Sequence, residues 1–310
     1  MARFLPISLS PIRRHSPPWS RQHQLLRPAP EPLFAPVVVE PTPLSANNPR
    51  IASLRRLSGR RKARLEAGRF VIEGPVPIAE LLAAGADLDE LYVDLDQWAQ
   101  VDDRSPLRSV VRDADAAGVP VWGLTASVFA SVSDTNSPQG ALALALRTVT
   151  PISDVAQIDG PVLVLVDISD PGNAGTLVRA AEAAGCAGVV FVGSSTDPFG
   201  PKAVRAAAGS IVRLPIAEGS EVSPALDELR SSGRSLVATV VDGGVAPEAT
   251  DLSGSVAILI GSEAHGLSAE VIATCSAKIT IPMQSAVESI NAAVAGAVVL
   301  FEAARQRRNA

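Results

Sequence analysis

From Asn48 onward the apolar positions switch repeatedly between helical spacing and extended runs. "NPRIASLRRLSGRRKARLEAG" reads as a basic helix, or as two short ones broken at Gly59, and residues 69–73 ("RFVIE") read as a strand. The pattern then predicts a helix over 77–84, a strand over 90–94, a helix over 105–117, a short strand over 119–122 and a helix over 125–131. The alternating "ALALALR" of residues 141–147 closes the unit as a strand, so residues 48–147 form a small α/β domain.

"TVTPISDVAQIDG", residues 148–160, is polar and reads as a linker. Beyond it the strands become continuously apolar: "VLVLVD" (162–167), "GVVFVG" (188–193), "SLVATVV" (235–241) and "SVAILIG" (255–261). Strands buried on both faces belong to a parallel sheet covered by helices, so residues 161–310 are expected to form a Rossmann-like second domain. Residues 1–47 differ from both. They hold 10 of the 25 prolines with no helical or alternating period, and are expected to be a disordered leader. The segment is arginine-rich and acid-poor, as organellar transit segments are, but its prolines oppose the amphipathic helix such segments form. A passive tail from an upstream start fits equally.

The length of 310 residues suits two domains with real cores. Cys186 and Cys275 provide neither a disulfide framework nor, without clustered histidines, a metal site. A reducing compartment, the cytoplasm, and no metal are therefore expected. Residues 291–301, the longest uncharged stretch near a helix, fall short of the roughly 20 residues that cross a bilayer and run into Arg305, Arg307 and Arg308, so no membrane span is expected. The net charge of −5 conceals an asymmetry: residues 1–69 carry 13 Lys/Arg against 3 Asp/Glu, and the remainder carry 14 against 29. A basic arm on an acidic body points to a polyanionic partner, with Arg55, Arg56, Arg60 and Arg61 as its contacts. Charge alone would be satisfied by a solvated leader.

In an open parallel sheet, ligands sit beyond the carboxyl ends of the strands, so the loops there are the places to search. "DISDPGNAGTLVRAAEAAG", residues 167–185, has neither a dinucleotide nor a phosphate-loop glycine spacing. Read alone, Asn173 is most simply the N-cap of the next helix, and Arg179, opposite Leu177, Val178 and Ala181, is a solvated arginine. "ILIGSEAHGLS", residues 258–268, sets Glu263 between two glycines; backbone can approach a ligand there, but a polyphosphate would be repelled. His265 has no second ligand nearby. In "ITIPMQSAVESINAAVAGAVVLFEAARQRR", residues 279–308, Ser289 caps a helix along which Ile290, Val294, Val298 and Phe301 keep helical spacing. The bland reading is a C-terminal helix whose basic end complements its dipole.

Together and in this order, these segments resemble the SpoU (TrmH) family of RNA ribose 2'-O-methyltransferases in the SPOUT superfamily. "DPGNAGTLVRAAEAAG" is similar to the first motif, with Asn173, Gly175 and Arg179 at its Asn, Gly and Arg; "GSEAHGLS" to the second, with Glu263; and "IPMQSAVESINAAVAGAVVLFEA" to the third, with Ser289 and Asn291. Ala264 stands where the second motif usually has glycine, and Ile290 where the third usually has leucine. The resemblance implies a knotted C-terminal domain with a trefoil, a departure from the rule against threaded chains. It implies S-adenosylmethionine as cofactor, in a pocket around Gly261, Ile281 and Ile290 with the Thr239 loop closing one side. It also implies a homodimer and an N-terminal domain similar to small ribosomal RNA-binding proteins.

By the same resemblance Asn173, Arg179, Glu263, Ser289 and Asn291 carry the chemistry. An arginine is a poor base, so Arg179 is read as gripping a phosphate and stabilising the developing alkoxide, with the other four orienting it and the nucleotide. A dinucleotide enzyme is disfavoured by the first turn, and an RNA-binding module without catalysis by the five filled polar positions. The separate N-terminal domain resembles that of ribosomal-RNA members, including thiostrepton-resistance-type enzymes. This favours 23S ribosomal RNA over tRNA as substrate.

Overall fold

The computed structural model describes residues 39–135, 137–284 and 289–310. Its first sheet contains β1 (Thr42–Pro43), β2 (Arg69–Glu73), β3 (Leu88–Asp94), β4 (Val121–Leu124) and β5 (Ala141–Leu146), in the order β1-β4-β3-β5-β2. β5 runs antiparallel between β2 and β3 and is buried on both faces, so the alternation of its sequence is one of size rather than polarity. Ala141, Ala143 and Ala145 face the core shared with the 75–83 and 106–116 helices, whereas Leu142 and Leu144 face Ile51, Leu54 and Phe129.

The basic segment forms two helices, Pro49–Gly59 and Arg61–Ala67, broken at Arg60 in extended backbone, one residue after the expected Gly59. Two expectations are corrected. Residues 39–47 are not part of a disordered leader: Val39 packs on the core, Trp98 donates to Glu40 at 2.9 Å and Thr42 pairs with Trp122. Prolines fit there because β1 is an edge strand, where a missing donor costs no ladder bond. The rest of the leader, residues 1–38, lies outside the described residues. The supposed linker also holds a helix, Ile152–Gln157, whose Val155 and Ala156 are buried against the second sheet.

That second sheet is wholly parallel. It comprises β6 (Val162–Val166), β7 (Gly188–Val192), β8 (Ile216–Gly219), β9 (Ser235–Thr239), β10 (Val256–Ile260) and β11 (Ala277–Ile279), in the order β11-β9-β10-β6-β7-β8. The four apolar runs are its four inner strands. β8 and β11 lie at its two edges and carry too few apolar residues to stand out. The strand order reverses between β6 and β10, which places the crevice for a ligand outside their carboxyl ends.

The final helix, Ala292–Asn309, lies against the Pro171–Ala183 helix, and its buried face is Ala293, Gly296, Val299, Leu300, Ala303 and Ala304. The expected stripe faces outward instead, with Val294, Val298 and Phe301 52%, 43% and 49% exposed. Small residues let two helix backbones approach, so the weaker hydrophobic face won the core. The threading implied for a trefoil knot passes through a segment that includes residues 285–288, outside the described residues. On either side of it, Val240 and Val245 hydrogen-bond β11, and Gln306 of the final helix holds Leu252 N and Thr250 O.

Candidate active site

β6 is followed by Asp167, which takes a left-handed conformation (φ 55°) and turns the chain across the strand ends. Asp170 then caps the Pro171–Ala183 helix, accepting from Asn173 N at 2.8 Å, and Pro171 occupies the first turn, where no amide is needed. Asn173 is therefore not the cap. Its side chain is free to reach across to the β10 loop, where its Nδ2 donates to Glu263 Oε1 at 2.9 Å. Lys202 holds the second oxygen of Asp170 at 2.8 Å; with the helix amides, it keeps that carboxyl below its usual range.

Glu263 gathers the amides of Ser169 and Asp170 at 3.2 and 3.3 Å, besides Asn173. Burial pulls its carboxyl upward, but these hydrogen bonds outweigh it and hold Glu263 below the usual carboxylate range. Its loop is tight: a Cβ on Gly261 would stand 2.3 Å from the backbone carbon of Gly266, and Gly266 donates back to Ser262 O at 2.8 Å. Ala264, where the motif usually has glycine, is accommodated without positive φ.

The third motif joins through Asn291. Its Nδ2 donates to Asn173 Oδ1 at 2.9 Å, while its own Oδ1 accepts from Ala293 N and Val294 N at 2.8 and 3.2 Å and caps the final helix. Ser289 does not cap that helix; it is exposed on the rim of the cleft. The amide orientations fix one another. A carboxylate only accepts, so Asn173 must turn its NH2 to Glu263 and its oxygen to Asn291.

Beside this cluster opens a cleft of about 1000 Å³, lined by Thr239, Gly261, Ile281, Met283, Ile290 and their neighbours. The four residues expected to hold the cofactor thus share one wall system. The Thr239 hydroxyl is already committed to Leu259 O at 2.8 Å. Arg179 is not drawn into the cluster: it is exposed and makes no hydrogen bond or ion pair to a described residue. Of the four arginines assigned to RNA, Arg55, Arg56 and Arg60 are exposed, Arg55 resting on Ser131 Oγ at 2.7 Å. Arg61 is exposed as well, but its guanidinium is paired with Glu218 at 3.0 Å. The sequence reading missed Asp170 and Lys202; the Asp-Pro pair marks Asp170 as the cap, whereas nothing local marks Lys202. Among the described residues, no group of three His, Cys, Asp or Glu could hold a metal ion, and no helix is long and apolar enough to cross a membrane.

Residues 160–301 match the SpoU rRNA methylase family and residues 48–143 the MRM3-like substrate-binding domain. The chain belongs to this family of RNA methyltransferases, whose cofactor is S-adenosylmethionine. It is 30% identical to an uncharacterised tRNA/rRNA methyltransferase of Synechocystis, over 85% of this chain and 93% of the relative. It is 27% identical to the 23S rRNA (guanosine(2553)-2'-O)-methyltransferase RlmP of Bacillus subtilis, over 83% and 96%. The AdoMet-bound rRNA methyltransferase from Sinorhizobium meliloti superposes with a TM-score of 0.73 at 30% identity, covering 85% of this chain and 97% of that one. The cleft fits such a cofactor: its volume suits a ligand of that size, its lining is mainly apolar and backbone, and its two carboxylates are taken up by the protein, Glu263 by the amides of Ser169, Asp170 and Asn173 and Asp170 by Asn173 N and Lys202.

Proposed function

We propose that this protein transfers a methyl group from S-adenosylmethionine to a ribose 2'-hydroxyl in RNA, with 23S ribosomal RNA as substrate. The observation that carries the reading is the hydrogen-bonded line Glu263–Asn173–Asn291, which joins three distant motifs at the crevice between β6 and β10. Gly261, Ile281, Ile290 and the backbone at Thr239 would hold the cofactor, which supplies an electrophilic methyl when bound. What the chain must add is position: in an in-line displacement, most of the available acceleration comes from holding the hydroxyl at attack distance. Glu263 and Asn291 lock Asn173, and the exposed Ser289 offers a hydroxyl to the nucleotide. Arg179, with no partner among the described residues, grips a backbone phosphate and stabilises the oxyanion as its proton leaves to a phosphate oxygen or water.

The exposed Val294, Val298 and Phe301 lie four and three residues apart on one face of the final helix, and we assign that face to a second copy of the chain in a homodimer. The separate N-terminal domain supports a ribosomal substrate, and the chemistry suits the cytoplasm. The experiment is a comparison of ribose methylation across all RNA from cells with and without the gene. A missing 2'-O-methyl in 23S RNA supports the full reading, one in tRNA moves the substrate, and an unchanged map rejects it. In the purified enzyme, Arg179→Ala should lower turnover by about a hundredfold while cofactor affinity changes only a few-fold.

A further inference from the structure

The two domains meet around a group of charges that the cleft does not use. Arg64 is 5% exposed and Asp197 9%, and Arg64 Nε donates to Asp197 Oδ2 at 2.7 Å. Arg64 Nη1 also donates to Leu57 O at 2.5 Å and Ser58 O at 3.3 Å, the open carbonyls at the end of the 49–59 helix. Phe199 N donates to the other Asp197 oxygen at 3.0 Å. Nearer the surface, Arg61 and Arg147 take the two oxygens of Glu218, and Arg61 Nη1 donates to Ser195 O at 3.5 Å.

The interface has an apolar core already: Phe70 and Phe199 stand 5.1 Å apart, and one hydrophobic cluster runs through both domains. A buried ion pair adds little stability over an apolar pair of the same volume, because desolvation offsets its attraction. What it adds is direction. On one side, the Arg64 fork grips the helix whose outer surface carries Arg55 and Arg56. On the other side, Asp197 sits in the loop after β7, where Ser195 Oγ accepts from Ile168 N at 3.2 Å. Ile168 precedes Ser169, whose amide holds Glu263. Hydrogen bonds and short stretches of backbone, with Thr196 N also donating to Ile168 O at 2.8 Å, thus link the loop that holds Asp197 to the methyl-transfer site.

We propose that Arg64 and Asp197 are positioning residues for methyl transfer: their buried pair, backed by Arg61 and Arg147 on Glu218, holds the basic helix in one register over the carboxyl edge of the parallel sheet. RNA gripped through its phosphates by Arg55, Arg56 and Arg60 then presents its ribose to the Glu263 cluster. This rests on the reading of the chain as an RNA ribose methyltransferase.

The decisive variant is Arg64→Met with Asp197→Leu, which keeps the interface filled and leaves no unpaired buried charge. The probe is a pool of in vitro transcribed 16S and 23S ribosomal RNA and tRNA, with radiolabelled S-adenosylmethionine in single turnover at saturating RNA. Thermal midpoint, cofactor affinity and RNA affinity should stay near wild type, within about threefold for the affinities, while the methyl-transfer rate falls by about tenfold or more, as misplacement by an ångström can cause. A folded double variant that transfers methyl within about twofold of wild type would overturn the proposal, because a merely structural pair predicts rate to follow stability. If that variant does not fold, Glu218→Gln at the rim carries the same expectation, and a wild-type rate there overturns it. Should the unaltered protein methylate nothing in the pool, the reading of its reaction fails instead.

Discussion

Asn173 is the residue on which the candidate site turns, because its two amide atoms face groups of opposite demand. Replacing it with aspartate sets a second carboxylate about where Glu263 now receives a hydrogen bond of 2.9 Å. Two carboxylates at that distance repel, so the pair takes up a shared proton below a raised apparent value and above it is doubly ionised and pushed apart. Asn173→Asp should therefore lose methyl transfer at neutral pH and recover part of it as the pH falls, a profile opposite to wild type. In the wild type, the folded-state Glu263 carboxyl is held below its ordinary value. Its contribution is fully present above that ordinary value and is lost only as the pH falls through the depressed one. Rate profiles of the two proteins test this, and a parallel pair of curves rejects it.

At the scale of elements, the site depends on how closely three helices and a loop approach. A Cβ on Gly175 would stand 2.3 Å from Ala203 O and 2.9 Å from Ala207 N, both backbone atoms of the Pro201–Ala207 helix. On Gly296 the nearest atom, also at 2.3 Å, is Cδ2 of Leu177, a side chain that can rotate. Gly175→Ala should cost about 1–3 kcal/mol of stability, as overpacking does, and Gly296→Ala clearly less. Chemical denaturation of the two variants checks the order. The contrast cannot be read from either glycine's neighbours in sequence, since both lie in similar Ala-rich helical segments.

For the whole molecule, three expectations concern surfaces. Replacing Arg55, Arg56 and Arg60 with glutamine, and leaving Arg61 in its pair with Glu218, should flatten the salt dependence of RNA affinity by up to about 0.7–0.9 in log-log slope per lost phosphate contact. An unchanged slope would show that this face does not meet RNA. Deleting residues 1–47 should lower the thermal midpoint, because Val39, the Glu40–Trp98 bond and β1 go with it; a deletion ending at residue 38 keeps all three. Phe301→Glu should shift the protein from dimer to monomer in analytical ultracentrifugation without unfolding it, since Phe301 is 49% exposed in one subunit. An unchanged mass would remove the final helix from the dimer interface.

The sequence by itself determined the secondary-structure rhythm, the inner strands of the parallel sheet and the loops where chemistry collects, because continuous apolar runs and glycine-flanked polar residues are local signals. It also carried the family resemblance, through three short motifs. Only the tertiary structure decided which partner each polar group would take. Asp170 and Asn291, not Asn173 and Ser289, became the helix caps, and this released Asn173 to bind Glu263 across 90 residues of chain. Likewise Arg64 reads in sequence as one more cation of a basic arm, yet it lies buried against Asp197, 133 residues away. The final helix has two apolar faces, and local periodicity favours the one with Val294, Val298 and Phe301; the close approach of its neighbours selected the other, where Ala293, Gly296, Ala303 and Ala304 flank Val299 and Leu300. In each case the deciding term was a contact distant in sequence, whose energy no local pattern contains.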